Sequence, residues 1–188
     1  MKRLILASSS PRRREILSEN GFDFTVCTRP VDESTICGFP PDETVKKLAK
    51  MKAEATAHDM PDCVVVGADT VVAIDGEILG KPKSTEDAMS MLLKLSGRTH
   101  SVFTGVAVVA DGKTEVFCEE TKVNFKPLTK NQIENYIATG EPADKAGAYG
   151  IQGKGGELVE SVDGDYFNVV GLPIKSLCKV LEKYEITA

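Results

Sequence analysis

The sequence predicts an α/β protein, and three observations carry that expectation. Apolar runs of strand length, such as Cys63-Val64-Val65-Val66, alternate with amphipathic stretches along the whole chain. Helix start and stop signals bracket several of those stretches. Of 188 residues, 41% are hydrophobic and 27% charged, with no low-complexity tract, which excludes collagen-like, coiled-coil and disordered classes. At roughly 100–200 residues per domain, and with no repeat or linker, residues 1–188 read as a single domain.

Each element has its own signal. Leu4 to Ala7 is a short buried strand. Ser10-Pro11 opens a helix to about Asn20, with proline in its first turn and Gly21 as its stop. Phe22 to Cys27 is a second strand, and residues 28–41 form a loop that carries Asp32-Glu33 and ends on two prolines. From Asp42 to His58 the apolar period is helical, with Val45, Leu48, Ala49 and Ala53 on one face and Lys52 close to it. A β pattern follows over Cys63 to Ile74, then a turn at Asp75-Gly76 and a strand from Glu77 to Leu79.

Ser84, with Asp87 shortly after it, opens a helix that Gly97 ends. Val102 to Ala110, the turn Asp111-Gly112-Lys113 and Thr114 to Phe125 predict a long hairpin. Thr129 and Gln132 form a capping-box pattern for a helix to about Thr139, stopped by Gly140. Residues 140–156 are a glycine-rich loop. A hairpin turning at Asp163-Gly164 and a helix from about Leu172 to Lys183 complete the reading.

Charge and cysteine usage narrow the function classes. Against 23 basic residues stand 28 acidic ones, a net charge of −5, with 6% aromatics, which argues against a nucleic-acid-binding module. A local basic pocket for a small anion stays compatible with that balance. The five cysteines are odd in number, widely spaced and form no CxxC pair, so a disulfide framework and a zinc site are not expected, and a reducing cytoplasm is. The opening Leu4-Ile5-Leu6-Ala7 is too short for a signal core of about 7–15 residues, and no run approaches the ~18 residues of a membrane span.

Four segments carry candidate chemistry. Ser8-Ser9-Ser10-Pro11-Arg12-Arg13-Arg14 lies at a strand-to-helix junction, where unpaired N–H groups, hydroxyls and guanidiniums can complete a phosphate site. Positive charge at a helix start opposes the macrodipole and calls for an anion; the competing reading is a capped helix with solvated arginines. Asp69-Thr70 follows Val64-Val65-Val66-Gly67-Ala68, and a buried strand ending on a carboxylate must offset its charge with a metal or a base. A turn-forming aspartate is the alternative. Glu33 by itself reads as a solvated loop acid.

Gly80-Lys81-Pro82 holds a lysine between a permissive and a rigid neighbour, either to meet a ligand or as an exposed turn. Lys52, near an apolar helix face, must reach water or a buried anion. In the glycine-rich loop, no GxGxxG appears, so a dinucleotide fingerprint is rejected, as is a Walker loop anywhere in the chain. Gln152 offers paired donor and acceptor to a base edge. His58 and His100 sit in no nucleophile context, and His58 reads as a surface residue.

These residues, taken in order, resemble the Maf family of nucleoside triphosphate pyrophosphatases. The resemblance runs through Leu4-Ile5-Leu6-Ala7-Ser8-Ser9-Ser10-Pro11-Arg12-Arg13, Val31-Asp32-Glu33, Gly67-Ala68-Asp69-Thr70-Val71-Val72 and Gly80-Lys81-Pro82. It continues in Leu95-Ser96-Gly97-Arg98-Thr99-His100-Ser101-Val102, in Asp144-Lys145-Ala146-Gly147-Ala148-Tyr149-Gly150-Ile151-Gln152-Gly153 and in Asn168-Val169-Val170-Gly171-Leu172-Pro173. Residues 111–127 carry none of it.

The resemblance implies a long, mixed, twisted sheet with flanking helices, two lobes around a cleft, like the inosine triphosphate pyrophosphatases. It implies hydrolysis of a nucleoside triphosphate to monophosphate and pyrophosphate with a divalent cation, Mg²⁺ or Mn²⁺, in a cytoplasmic protein for which a homodimer is compatible. Arg12, Asp69-Thr70 and Ile151-Gln152-Gly153 look like the branch acting on dTTP and UTP, with modified pyrimidine triphosphates as a further candidate. On that basis Asp69 is the expected proton acceptor, Lys52 and Lys81 are catalytic, and Glu33 and Asp69 are metal ligands. Ser8, Arg12, Arg13, Thr70 and Gln152 are expected at the substrate, where glycines 147, 150 and 153 let the backbone approach. Competing readings are a 7-methyl-GTP pyrophosphatase and a non-catalytic nucleotide-binding regulator of septum formation.

Overall fold

The computed structural model describes residues 2–188. Its strands are β1 (Arg3–Leu6), β2 (Phe24–Val26), β3 (Cys63–Ile74), β4 (Glu77–Leu79), β5 (Thr99–Ala110), β6 (Lys113–Phe125) and β7 (Val159–Asp163). The helices are α1 (Pro11–Glu19), α2 (Pro41–Ala57), α3 (Thr85–Leu95), α4 (Lys130–Ile137), α5 (Tyr166–Val170) and α6 (Ile174–Leu181). The α/β class is as expected. The strands form one mixed sheet in the order β2-β1-β3-β5-β6-β7, with β4 paired to β3. β1 runs parallel to both neighbours, Leu6 opposite Val26 on one side and Val66 on the other, while β4 and β7 pair antiparallel. Among the described residues no helix is long and apolar enough to cross a membrane.

Two compact units divide the chain: Met1–Asp69 with Thr104–Glu119 and Gly171–Ala188, and Thr70–Phe103 with Glu120–Val170. The sequence showed no boundary because each unit is assembled from separated segments rather than cut off by a linker. In the first unit, α2 lies so close to the sheet that no side chain fits beneath it. A Cβ on Gly67 would stand 2.5 Å from the Ala49 carbonyl oxygen, and one on Gly105 would stand 2.4 Å from that of Val45. Small residues fill this layer: Ala49, Ala53, Ala107 and Ala7 pack with Ile5, Cys63 and Val65. The apolar face predicted for α2 is buried at Val45, Leu48, Ala49 and Ala53. The second unit has a larger-grained core, with Leu92, Leu95, Phe125, Ile133, Tyr136 and Tyr149 packed together.

The turn chemistry mostly follows the sequence. Thr129 and Gln132 form the expected reciprocal capping box on α4. Ser84 accepts the Asp87 N–H at 3.1 Å, but the Asp87 carboxylate turns back to the Lys83 N–H instead. The hairpin expected at Asp163-Gly164 does not form. β7 pairs with β6, Val162 opposite Val123, and after Gly164 the chain enters the short helix α5. There the Asp165 carboxylate accepts the Phe167 N–H at 2.8 Å. A helix this short shows no period in sequence.

Candidate active site

In the first unit the ammonium of Lys52 lies 2.6 Å from Asp69 Oδ1 and 3.1 Å from Glu33 Oε1. Local structure explains the meeting. Gly67 and Asp69 are two apart on β3 and line the same face of the strand. The bare Gly67 admits α2 until a Cβ there would come within 2.8 Å of the Ala53 nitrogen, and Lys52 is Ala53's neighbour. The Lys52 side chain thus arrives over Asp69 from an otherwise apolar helix face. Glu33 reaches it from a single 3-10 turn, Glu33–Thr35, whose preceding Asp32 accepts the Ser34 N–H at 3.1 Å.

Two expectations change here. Asp69 neither ends a strand nor forms a turn: it sits inside β3, which runs to Ile74 as the β pattern over residues 63–74 predicts. Its charge is offset by an ammonium within the fold. Glu33, weak as a lone loop acid, is part of the same ion-paired group.

Beside this group stands the start of α1. Ser10 occupies the cap position without a side-chain hydrogen bond, Pro11 begins the helix, and its first turn holds no acid. The capped-helix reading therefore fails, and the first-turn N–H groups have no side-chain cap. Ser8 is buried, and its Oγ accepts from Arg13 Nη1 at 3.0 Å and from the Ser10 N–H at 3.3 Å. Arg13 also donates from Nε to the Gly171 carbonyl at 2.8 Å. Burial pulls the Arg13 guanidinium below its ordinary value; the charges of Asp69 and Glu33 oppose this and Arg12 adds to it. Arg12 is half-buried and pairs with no carboxylate among the described residues, while Arg14 is exposed.

Thr70, Lys81 and Gln152 belong to the second unit. Thr70 is half-buried on β3, and Lys81 and Gln152 are exposed. The Gly80 carbonyl, just before Lys81, accepts the Gly147 N–H at 3.0 Å, which ties that turn to the glycine-rich loop. The glycines of that loop make room, on the side a Cβ would take, for other side chains of the protein. The missing Cβ of Gly147, Gly150 and Gly153 would fall 2.9, 2.5 and 2.4 Å from Val72, Lys145 and Glu141 side-chain atoms, respectively. The chain's own side chains occupy that space, so internal packing requires glycine at each position.

His58 is exposed against Asp59, as expected of a surface residue. His100 is buried, edge-on to Phe125 and Tyr149, with Nε2 2.8 Å from the Tyr149 hydroxyl. Burial lowers its pKa to about 4, so it is neutral near pH 7.

Among the described residues no group of three or more His, Cys, Asp or Glu is placed to hold an ion. Two carboxylates with oxygen donors match a Mg²⁺-like cation, which keeps waters and takes further ligands from phosphates. Glu33 and Asp69 are the two carboxylates of this group, with the Lys52 ammonium between them.

Comparison with known proteins adds the lineage. The family described as Maf-like protein matches residues 3–184. A Bacillus pumilus protein named dTTP/UTP pyrophosphatase is 51% identical over 187 residues, covering 100% of this chain and 99% of its own. Proteins of the same name from Moorella thermoacetica and Symbiobacterium thermophilum are 52% and 50% identical, covering 96% and 98% of this chain and 94% and 95% of their own.

Proposed function

The chain belongs to the Maf-like protein family, and on that premise we propose that it hydrolyses dTTP and UTP to the nucleoside monophosphate and pyrophosphate. The name of its half-identical relatives supports the substrate class. The observation that carries the chemistry is the Lys52 ammonium held between Asp69 and Glu33.

Lys52 engages Asp69 through Oδ1, which fixes the carboxylate and leaves Oδ2 for a water. Asp69 Oδ2 takes a proton from that water as its oxygen bonds to the α-phosphorus. The bond from the α-phosphorus to the bridging oxygen breaks, and the electron pair leaves with pyrophosphate. Arg12, Arg13 and the open N–H groups of α1 bind phosphate oxygens and balance the charge that develops on them. Ser8 holds Arg13 in place, and its own hydroxyl proton stays available to an oxygen acceptor. We take Lys81 as a further catalytic cation, and Thr70 and Gln152 as specificity positions. Glu33 and Asp69 would hold Mg²⁺ or Mn²⁺, which when bound supplies charge neutralisation and a more acidic water. The widely spaced cysteines support a reducing compartment, and we place the enzyme in the cytoplasm.

The test is a substrate panel with Mg²⁺: dTTP, UTP, CTP, 7-methyl-GTP and the purine triphosphates, resolving pyrophosphate from orthophosphate. Pyrophosphate with UMP or dTMP is expected. Orthophosphate with a diphosphate contradicts the mechanism, preference for 7-methyl-GTP contradicts the substrate class, and binding without turnover contradicts an enzyme.

A further inference from the structure

The glycine-rich loop is held by one carboxylate and one phenol that the proposed chemistry does not use. Glu141 Oε1 accepts the Gly155 N–H at 3.0 Å and the Tyr136 hydroxyl at 2.9 Å, and its Oε2 accepts the Lys154 N–H at 3.0 Å. The Tyr136 oxygen in turn accepts the Gly150 N–H at 3.1 Å. Both flanks of the turn Ile151-Gln152-Gly153 are therefore tied to the same two side chains. The fit leaves no slack: a Cβ on Gly153 would stand 2.4 Å from Glu141 Oε2, and one on Gly155 would stand 2.6 Å from the Tyr136 hydroxyl. Gln152 itself is exposed at the tip.

We propose that Glu141, with Tyr136, is a positioning residue for pyrimidine selection, holding the backbone turn that presents Gln152. The inference rests on the reading of Gln152 as a specificity position. A flexible exposed amide pays entropy to adopt one pose, and a clamped turn removes the backbone share of that cost. Discrimination between bases needs a donor and an acceptor at fixed places, because a movable amide satisfies either pattern. An ionised Glu141 is the right acceptor, since it can take several N–H and O–H bonds at once. Burial pushes its carboxyl up, but the Gly155 N–H, the Tyr136 hydroxyl, the Lys154 N–H and the Lys145 charge together hold it below the ordinary value.

The experiment compares wild type, Glu141→Gln, Tyr136→Phe, Gln152→Ala and the double variant Glu141→Gln/Gln152→Ala, each checked for folding by thermal melt. kcat and KM are measured for UTP and CTP. Glu141→Gln is expected to raise KM for UTP about 5–20-fold with kcat changed less, and to shrink the UTP:CTP ratio of kcat/KM toward that of Gln152→Ala. Tyr136→Phe keeps the ring and removes only the hydroxyl, so it should move the ratio the same way. In the Gln152→Ala background, Glu141→Gln should change the ratio no further. If Gln152→Ala alters the ratio while Glu141→Gln and Tyr136→Phe, both folded, do not, the positioning role is overturned and the reading of Gln152 stands. If Gln152→Ala leaves the ratio unchanged, both are overturned. Equal loss on UTP and CTP in the two clamp variants overturns the proposal in favour of a structural role.

Discussion

The Nζ of Lys52 sits 2.6 Å from Oδ1 of Asp69, a contact between a helix and a strand residue that neither element would make alone. It depends on α2 lying almost in van der Waals contact with the β3 backbone at Gly67. One glycine on the strand and a run of alanines on the helix thus set the distance between the two charges. The side chains of both residues are mostly buried, 20% exposed for Lys52 and 14% for Asp69, so water screens the pair only in part.

Removing the ammonium tests this arrangement first. Lys52→Met should lower kcat/KM for UTP by about 100-fold or more, since it frees the Asp69 carboxylate and deletes a charge that opposes developing negative charge. Lys52→Arg should not restore the rate, because a planar fork replaces a compact point charge. Steady-state kinetics beside a thermal melt separate this from unfolding. Wild-type rates in Lys52→Arg would show that any cation suffices.

Asp69→Asn keeps the shape of the side chain and removes its basicity. Turnover should fall by roughly 10²–10⁴-fold, the usual contribution of a general base, while the Kd for UTP measured by calorimetry changes little. Full activity in that variant would remove Asp69 from the proton transfer.

Gly67→Ala addresses the packing. A methyl group at this position would meet the Ala49 carbonyl and the Ala53 nitrogen, both backbone atoms that cannot swing aside. Urea unfolding should show a loss of about 1–3 kcal/mol, the ordinary cost of overpacking, and activity should fall because α2 must move away from Asp69. Unchanged stability would mean that α2 does not rest on this glycine.

His100 gives a pH prediction with a definite sign. Its folded-state pKa is about 4, against 6.5 for a free imidazole, because burial disfavours the charged ring. Between those values the unfolded chain binds a proton that the folded chain does not, so stability is full above pH 6.5 and falls as pH drops toward 4. The loss across that window is about 3 kcal/mol. Urea titrations at pH 7.5 and pH 4.5 should show most of it, and His100→Gln should flatten the difference. An equally steep pH dependence in that variant would assign it to other groups.

The helix of residues 41–57 and the strand of residues 63–74 were legible because both are long enough to show their period. Lys52 was legible for the same reason, as a cation close to an apolar face that needed a buried anion. The position of Asp69 within that strand followed from the same period, but the group that offsets its charge was not legible, because Lys52 meets it only in the fold. The packing role of the loop glycines was hidden for a related reason. Sequence shows the missing side chains but not that Val72, Lys145 and Glu141 fill their space. Glu141 carried no signal of its own, since its partners, two backbone N–H groups and the Tyr136 hydroxyl, are brought to it only by the fold.

The measurement closest to the central claim is hydrolysis of UTP in H₂¹⁸O with Mg²⁺, followed by mass spectrometry of both products. Attack of the Asp69-activated water on the α-phosphorus places one ¹⁸O in UMP and none in pyrophosphate. Label found in pyrophosphate and absent from UMP would put the attack on the β-phosphorus and contradict the account.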